Sequence, residues 1–373
     1  MFSWVTSAQS SLKVAFDDAS GYVFSQGLCV VKKGSFCGVV DTLGKQVVAF
    51  VYAHPRGTEF PRYREGFCVL CSVSEAGVES MHCLNGSGKE VFVDKSFQAL
   101  SPFSEGVALA GISRSDRSVQ WTFIRANGTL FANALASELS TSSKTNFNGF
   151  QEGLAPVSTS SGAYGYLRPD ARWAIMPTRA YSEVGDFHNG RAMVRGALSQ
   201  QWGVINTAGD LVIPYMYAVR PRDFSEGLAL VRNAEGKVGY MDTLGNLKIP
   251  CLYEPIGSEG GMDFDGGYAV VSRGGAYYAV NTDGQEVKRL GDNALEIKPL
   301  GEGLLSCKRW TEEQGWSLSL MQTDGERIAT ENSFTRIEPF SEGLAYAVAS
   351  RGGVFVSGFI NKEGVFRMLR SAP

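Results

Sequence analysis

A glycine preceded by a large apolar residue and one or two polar ones, and followed by an apolar run, recurs nine times along the chain. The copy Phe224 to Val231, FSEGLALV, shows it most plainly. The anchor glycines are Gly27, Gly66, Gly106, Gly153, Gly190, Gly227, Gly267, Gly303 and Gly343, spaced 36 to 47 residues apart with a mean near 40. A fixed period in this range means one supersecondary unit copied end to end, so a single architecture accounts for residues 1–373 as one repeat domain.

A second phrase follows each anchor. It reads Trp202-Gly203-Val204-Ile205-Asn206-Thr207-Ala208-Gly209 in the fifth unit and Val238-Gly239-Tyr240-Met241-Asp242-Thr243-Leu244-Gly245 in the sixth. The Asn or Asp three residues before glycine suits a tight turn, because its side chain can accept from the backbone ahead while glycine supplies a positive φ. Apolar runs on both sides of that turn make each unit a β-meander. With 44 glycines, 22 Phe, 14 Tyr and 20% charged residues, the composition also reads as a turn-rich, aromatic-rich β protein.

In the sixth unit the pattern predicts strands at Leu228–Arg232, Lys237–Asp242 and Leu247–Ile249, the last stopping before Pro250. Tyr217, Val219 and Phe224 then belong to a bent link that can add a weak fourth strand. Three or four strands per unit is what a propeller blade needs, although nine units exceed the usual four to eight. The expected fold is all-β, nine β-meander units in a propeller-like toroid, with an open β-solenoid or superhelical stack as the alternative.

The two phrases together, F-S-E-G-L-A and W-G-x-I-N/D-x-x-G, resemble the bacterial WG-repeat family, also called KWG repeats. The resemblance runs from about Ser11 to Leu369 and is strongest at Phe150–Tyr166, Phe187–Gly209, Phe224–Gly245 and Phe340–Gly364. It weakens where Trp-Gly becomes Met81-His82, Trp121-Thr122, Tyr277-Tyr278 or Leu318-Ser319, and where Ala171 replaces the second glycine. What the resemblance implies is a bacterial binding scaffold with no shared catalytic residues.

Seven cysteines, with Cys68-x-x-Cys71 ahead of His82-Cys83, invite a metal reading. The repeat frame opposes it. Cys29 and Cys68 occupy the slot of Ala108, Ala155, Ala192, Ala229, Ala269 and Ala345, and Cys307 that of Val157, Val194, Val231 and Val271. They read as small core residues, and positions three apart on a strand point to opposite faces. No metal and no cofactor are expected. An odd thiol count, and a start (Met1 to Thr6) without a basic region before an apolar core, point to a reducing, cytoplasmic setting.

Glu65, Glu105, Glu152, Glu226, Glu302 and Glu342 precede their glycines, while Gln26, Asn189 and Gly266 fill the same slot elsewhere. A ring of carboxylates around a channel would not tolerate those three. The expectation is that each side chain accepts from backbone N–H groups at its own turn.

His54, His82 and His188 fall in three different units, and no nucleophile elbow or phosphate-cradling loop appears. The chain therefore reads as a non-catalytic scaffold, with a hydrolase or lyase sited on the axis of the toroid as the alternative. Inserted loops that depart from minimal unit length mark the working surface: Ser74–Glu79, Gly111–Val119, Phe131–Asn146 (with a short helix at Asn133–Leu139), Gly257–Asp263 and Lys308–Gly315. Trp310 is the expected anchor, with Arg309, Glu312, Arg114 and Arg117 beside it. The expected ligand is a protein partner, with an immunity or inhibitor role as its sharper form. A net charge of −3 points to neither nucleic acid nor a membrane surface.

Overall fold

The computed structural model describes residues 12–55, 59–116, 118–257, 260–290, 294–311, 315–330, 332–351 and 354–371. Strands dominate, and the helices among these residues are two short ones, Asn133–Glu138 and Thr141–Thr145, both in the insertion of the third unit. The expected helix is thus present, one residue shorter at its end.

The sixth unit shows how the repeated phrases become structure. Ser225 and Leu228 exchange both backbone hydrogen bonds (2.9 and 3.0 Å) around Glu226 and Gly227, whose φ values are 51° and 80°. That is a two-residue hairpin of the type requiring two left-handed residues. The chain continues through Leu228–Arg232, Val238–Asp242 and Leu247–Tyr253, all antiparallel. Between the second and third strands, Asp242 Oδ1 accepts from Leu244 and Asn246 N–H (2.9 Å each), and Gly245 has φ 87°. The third strand does not stop at Pro250. It runs on to Tyr253, because a proline on an outer strand needs no partner for its missing N–H.

The second-strand glycine has a packing reason. A Cβ at Gly239 would stand 2.4 Å from Ile249 O, and one at Gly203 would stand 2.7 Å from Ile213 O. The third strand crosses that closely, with a register shift at each site.

The anchor residues act between units, not within them. Glu226 Oε2 accepts from the N–H of Gly267 in the next unit (2.9 Å). Glu65 reaches Glu105 and Gly106, Glu105 reaches Gly153, and Glu152 reaches Asn189 and Gly190, at 2.5 to 2.7 Å. Gln26 and Asn189 make the same reach with amide oxygens to Gly66 and Gly227. Where Gly266 leaves the slot empty, Asp265 reaches Gly303 at 2.8 Å, and Glu302 then reaches Gly343. Glu342 completes the circuit on the N–H groups of Gln26 and Gly27, the latter at 2.8 Å. The side chains are backbone acceptors as expected, but their donors belong to the following unit. A non-glycine residue in the left-handed region costs about 1–2 kcal/mol, and the bond to one or two aimed amides, charge-assisted where the acceptor is a carboxylate, offsets it.

The serine of the phrase adds a second strap. Ser25, Ser104, Ser225 and Ser341 donate to the carbonyls of Tyr63, Phe150, Phe264 and Phe24 in the next unit, at 2.6 to 2.7 Å. Apolar packing follows the same logic, with clusters lying between neighbouring sheets. Phe187, Ala192, Val194 and Ile205 pack on Leu154, Tyr166 and Ile175 of the preceding unit. Tyr346, Phe359 and Met368 of the ninth unit pack on Phe16, Tyr22, Phe24 and Val31 at the start of the chain.

Closure is sealed by pairing. Leu12–Ala15 lies parallel to Phe366–Ser371, so the chain's beginning adds the outermost strand to its last sheet. Arg336 pairs with Asp18, and Arg370 Nη1 donates to Phe16 O at 3.2 Å. Among the described residues no single sheet closes on itself; the ring of units does. This excludes the open stack.

Cys29, Cys68 and Cys307 are buried in inter-unit clusters beside residues such as Tyr22, Leu70 and Leu305. All seven cysteines are free thiols, and six are buried. Burial pushes the Cys37 thiol up to about 11 and the Cys83 thiol up to about 12.

Candidate binding surface

Successive antiparallel strands put alternate connections at opposite ends of a unit. The anchor turn and the Asn/Asp turn share one face of the ring. The hairpin tip between the first and second strands shares the other with the links between units. The insertion at Ser74–Glu79 and the described parts of Gly111–Val119 and Lys308–Gly315 fall on this second face, while Phe131–Asn146 starts just after the Asn127 turn and reaches that face at Leu139, which pairs with Thr159.

Two of them were expected to be loops and are instead taller hairpins. In the third unit Val107–Ser113 pairs with Val119–Arg125 over seven residues, and in the eighth Leu304–Thr311 pairs with Gly315–Gln322 over eight. The fifth and sixth units pair over five. The added residues keep the in-out alternation, so they extend the ladder and leave only the tip irregular.

At the tip of the eighth unit Trp310 stands directly opposite Trp316, with ring centroids 5.3 Å apart, edge to face. Both stay open to solvent, 56% and 49% exposed. Lys308 Nζ lies 5.5 Å from the Trp316 ring centroid. The ninth unit's hairpin, Leu344–Arg351 with Val354–Asn361, is also eight residues tall and carries exposed Val354 and Phe355. The two hairpins belong to one sheet, joined through Phe334, which pairs with Leu318 and Ala349.

The other expected contact residues have different placements. Arg309 turns back onto the scaffold, donating from Nη2 to Leu290 O (3.0 Å) and from Nε to Cys307 Sγ (3.1 Å). Arg114 is exposed at the third unit's tip, its Nε donating to Gln120 Oε1 at 3.2 Å. It sits four units away from Trp310 around the ring. Glu312 and Arg117 lie outside the described residues.

Two features were not read from the sequence. One is a cleft of about 680 Å³ between the second and third units, walled by Phe60, Phe67, Met81, Trp121 and Phe147 and edged by Arg64 and Lys144. The other is a chain of polar contacts through His82. Its Nε2 lies 2.8 Å from Ser72 Oγ and its Nδ1 lies 2.6 Å from Glu90 Oε1. The only sequence signal was the departure from Trp-Gly at Met81-His82.

These contacts define a class: an all-β, propeller-like ring of nine strapped units that displays hairpins on one face. The WG containing repeat matches residues 202–237 and 239–277. The chain therefore carries consecutive repeats of the WG family. No curated protein sequence matches it. Among solved structures it is similar to a eukaryotic initiation factor (11% identity, 96% of this chain and 91% of that chain, TM-score 0.46). It is also similar to the computationally designed Ika8 protein (12%, 94% and 100%, 0.42) and to BamB from Moraxella catarrhalis (12%, 82% and 93%, 0.39). At these TM-scores the likenesses decide nothing, and the ring rests on the chain's own contacts.

Proposed function

We propose that this repeat scaffold binds a protein partner through the tall hairpins of its eighth and ninth units, with Trp310 and Trp316 as the anchor. The observation that carries this reading is the exposed tryptophan pair at the tip of a rigid ladder. Large aromatics held in place lose little entropy on binding and bury much apolar area, and a few such anchors dominate most interfaces. Scaffold packing explains Trp202, which is 6% exposed in the cluster with Met193 and Ala229. It does not explain two tryptophans that stand edge to face with about half of each surface open to solvent.

Arg309 serves in this reading as a brace, holding the base of the hairpin to Leu290. The test is affinity capture from the native cell with the full chain, in parallel with a Trp310→Ala, Trp316→Ala double variant. A partner recovered by the parent and lost by the folded variant supports the reading. A partner recovered equally by both refutes it.

A further inference from the structure

His82 occupies the slot that holds glycine in the fifth and sixth units, where the third strand leaves no room for a side chain. The second unit makes that room. Its third strand pairs at Glu90 and Val91 and resumes only at Phe97, opposite Met81. Five residues lie between Val91 and Phe97, against three between the corresponding Ile213 and Tyr217. The two extra residues lift the backbone away from the imidazole. Tyr52 packs on the ring at a centroid distance of 5.4 Å.

In the space so made, the Glu90 carboxylate accepts from Nδ1–H, which leaves Nε2 as the acceptor for the Ser72 hydroxyl. Both distances are those of a working hydrogen bond, and the order is nucleophile, base, orienting acid. The His82 side chain is 24% exposed and that of Glu90 36%, so solvent and a small reactant reach the group. Met81, one residue earlier, lines the cleft, so His82 faces the opposite side of its strand.

We propose that Ser72, His82 and Glu90 form a reactive-serine site that takes acyl groups from activated esters and thioesters. Ser72 Oγ attacks the carbonyl carbon and its proton passes to His82 Nε2, the imidazolium being held by Glu90. The bond to the leaving group breaks, and that group departs with the electron pair and the proton from His82. Water then attacks the acyl-Ser72 ester, His82 takes its proton, and the carboxylic acid leaves with Ser72 restored.

The substrate class follows from the setting. Ser72 sits within a regular antiparallel strand, Phe67–Val73, whose amides are engaged in pairing. Without aimed oxyanion donors the rate falls by about 10²–10³ for each donor lost. Good leaving groups are required to offset this. Amides and unactivated alkyl esters are outside its range.

The experiment uses the full chain with p-nitrophenyl acetate for turnover and a fluorophosphonate for covalent labelling, read by peptide mass spectrometry. Labelling is expected on Ser72 and absent in Ser72→Ala. His82→Gln should lower both rates by about 10²-fold, and Glu90→Gln by at least as much, because a glutamine amide donating to Nδ1 leaves Nε2 protonated and unable to take the Ser72 proton. Melting temperatures of the variants separate chemistry from folding. Labelling no faster than in the unfolded chain, or shared with Ser80, which stands opposite Ser72 across the ladder, overturns the proposal. So do variants that lower the melting temperature and leave the ester reaction unchanged.

Discussion

The sixth and eighth units are built on the same plan and differ at one end. Both reach the next unit through a carboxylate, Glu226 to Gly267 and Glu302 to Gly343. Both pack their first strands in inter-unit clusters. At the opposite end the sixth closes in a short polar tip, Asn233 to Lys237, while the eighth grows three rungs taller and carries two exposed tryptophans. The strapped face has its residues dictated by the neighbouring unit. The hairpin face is tied to its neighbours only at the base, as by Arg309 to Leu290 and Phe334 to Leu318 and Ala349, so the length and chemistry of its tips are free to serve something else.

This contrast predicts which substitutions hurt folding and which hurt binding. The largest folding effect belongs to the second-strand glycine. Gly239→Val drives a side chain into Ile249 O and should cost about 3 kcal/mol or more. Denaturant unfolding measures it, and a near-neutral result would mean the third strand yields more readily than its close crossing implies.

Next comes binding. Trp310→Ala with Trp316→Ala should weaken the captured partner by about 2 kcal/mol, roughly 30-fold, with a melting temperature close to the parent's. Titration calorimetry with the purified partner reads both the loss and its sign.

The strap should be smaller, and its chemistry can be dissected. Glu226→Ala keeps the left-handed backbone and loses the acceptor, so it should cost about 1 kcal/mol. Glu226→Asn should be nearly neutral, because Asn189 already makes this reach to Gly227 and asparagine tolerates the left-handed region. If both variants lose the same stability, the strap contributes nothing through its oxygen.

The smallest effect is at the thiols. Cys68→Ala should cost under about 1.5 kcal/mol, since six other units carry alanine in that slot. Alkaline pH tests burial separately. Above the ordinary thiol range, near 9, the unfolded chain releases protons that folded Cys37 and Cys83 retain up to about 11 and about 12. Stability is therefore whole below pH 9 and falls as pH rises through that window. Unchanged unfolding midpoints between pH 9 and 11 would contradict the buried setting.

Much of the scaffold was legible in the sequence because glycine leaves a local mark. The anchor register and the Asn/Asp turns are set by residues within five positions of one another, as at Asp242 to Asn246. The straps were half legible: Glu226 plainly wanted a backbone donor, but the donor is 41 residues away and only the assembled ring shows it. Hairpins were mistaken for loops because polar tips such as Arg114 to Ser118 interrupt an alternation that continues on both sides. The His82 relay was hidden for a related reason. Ser72, His82 and Glu90 stand ten and eight residues apart, and only the pairing of Leu70 with His82 and Leu84 with Glu90 brings them together.

The central claim is that the ninth unit straps the first. Amide hydrogen exchange tests it most directly by following the segment that contains Gln26 and Gly27 in the parent and in Glu342→Ala. A closed ring predicts protection there in the parent. It also predicts faster exchange in the variant, at amides 315 and 316 residues away in sequence, while the Glu65 strap to Gly106 stays protected. Exchange at Gln26 and Gly27 that is fast in the parent and indifferent to Glu342 would contradict the ring.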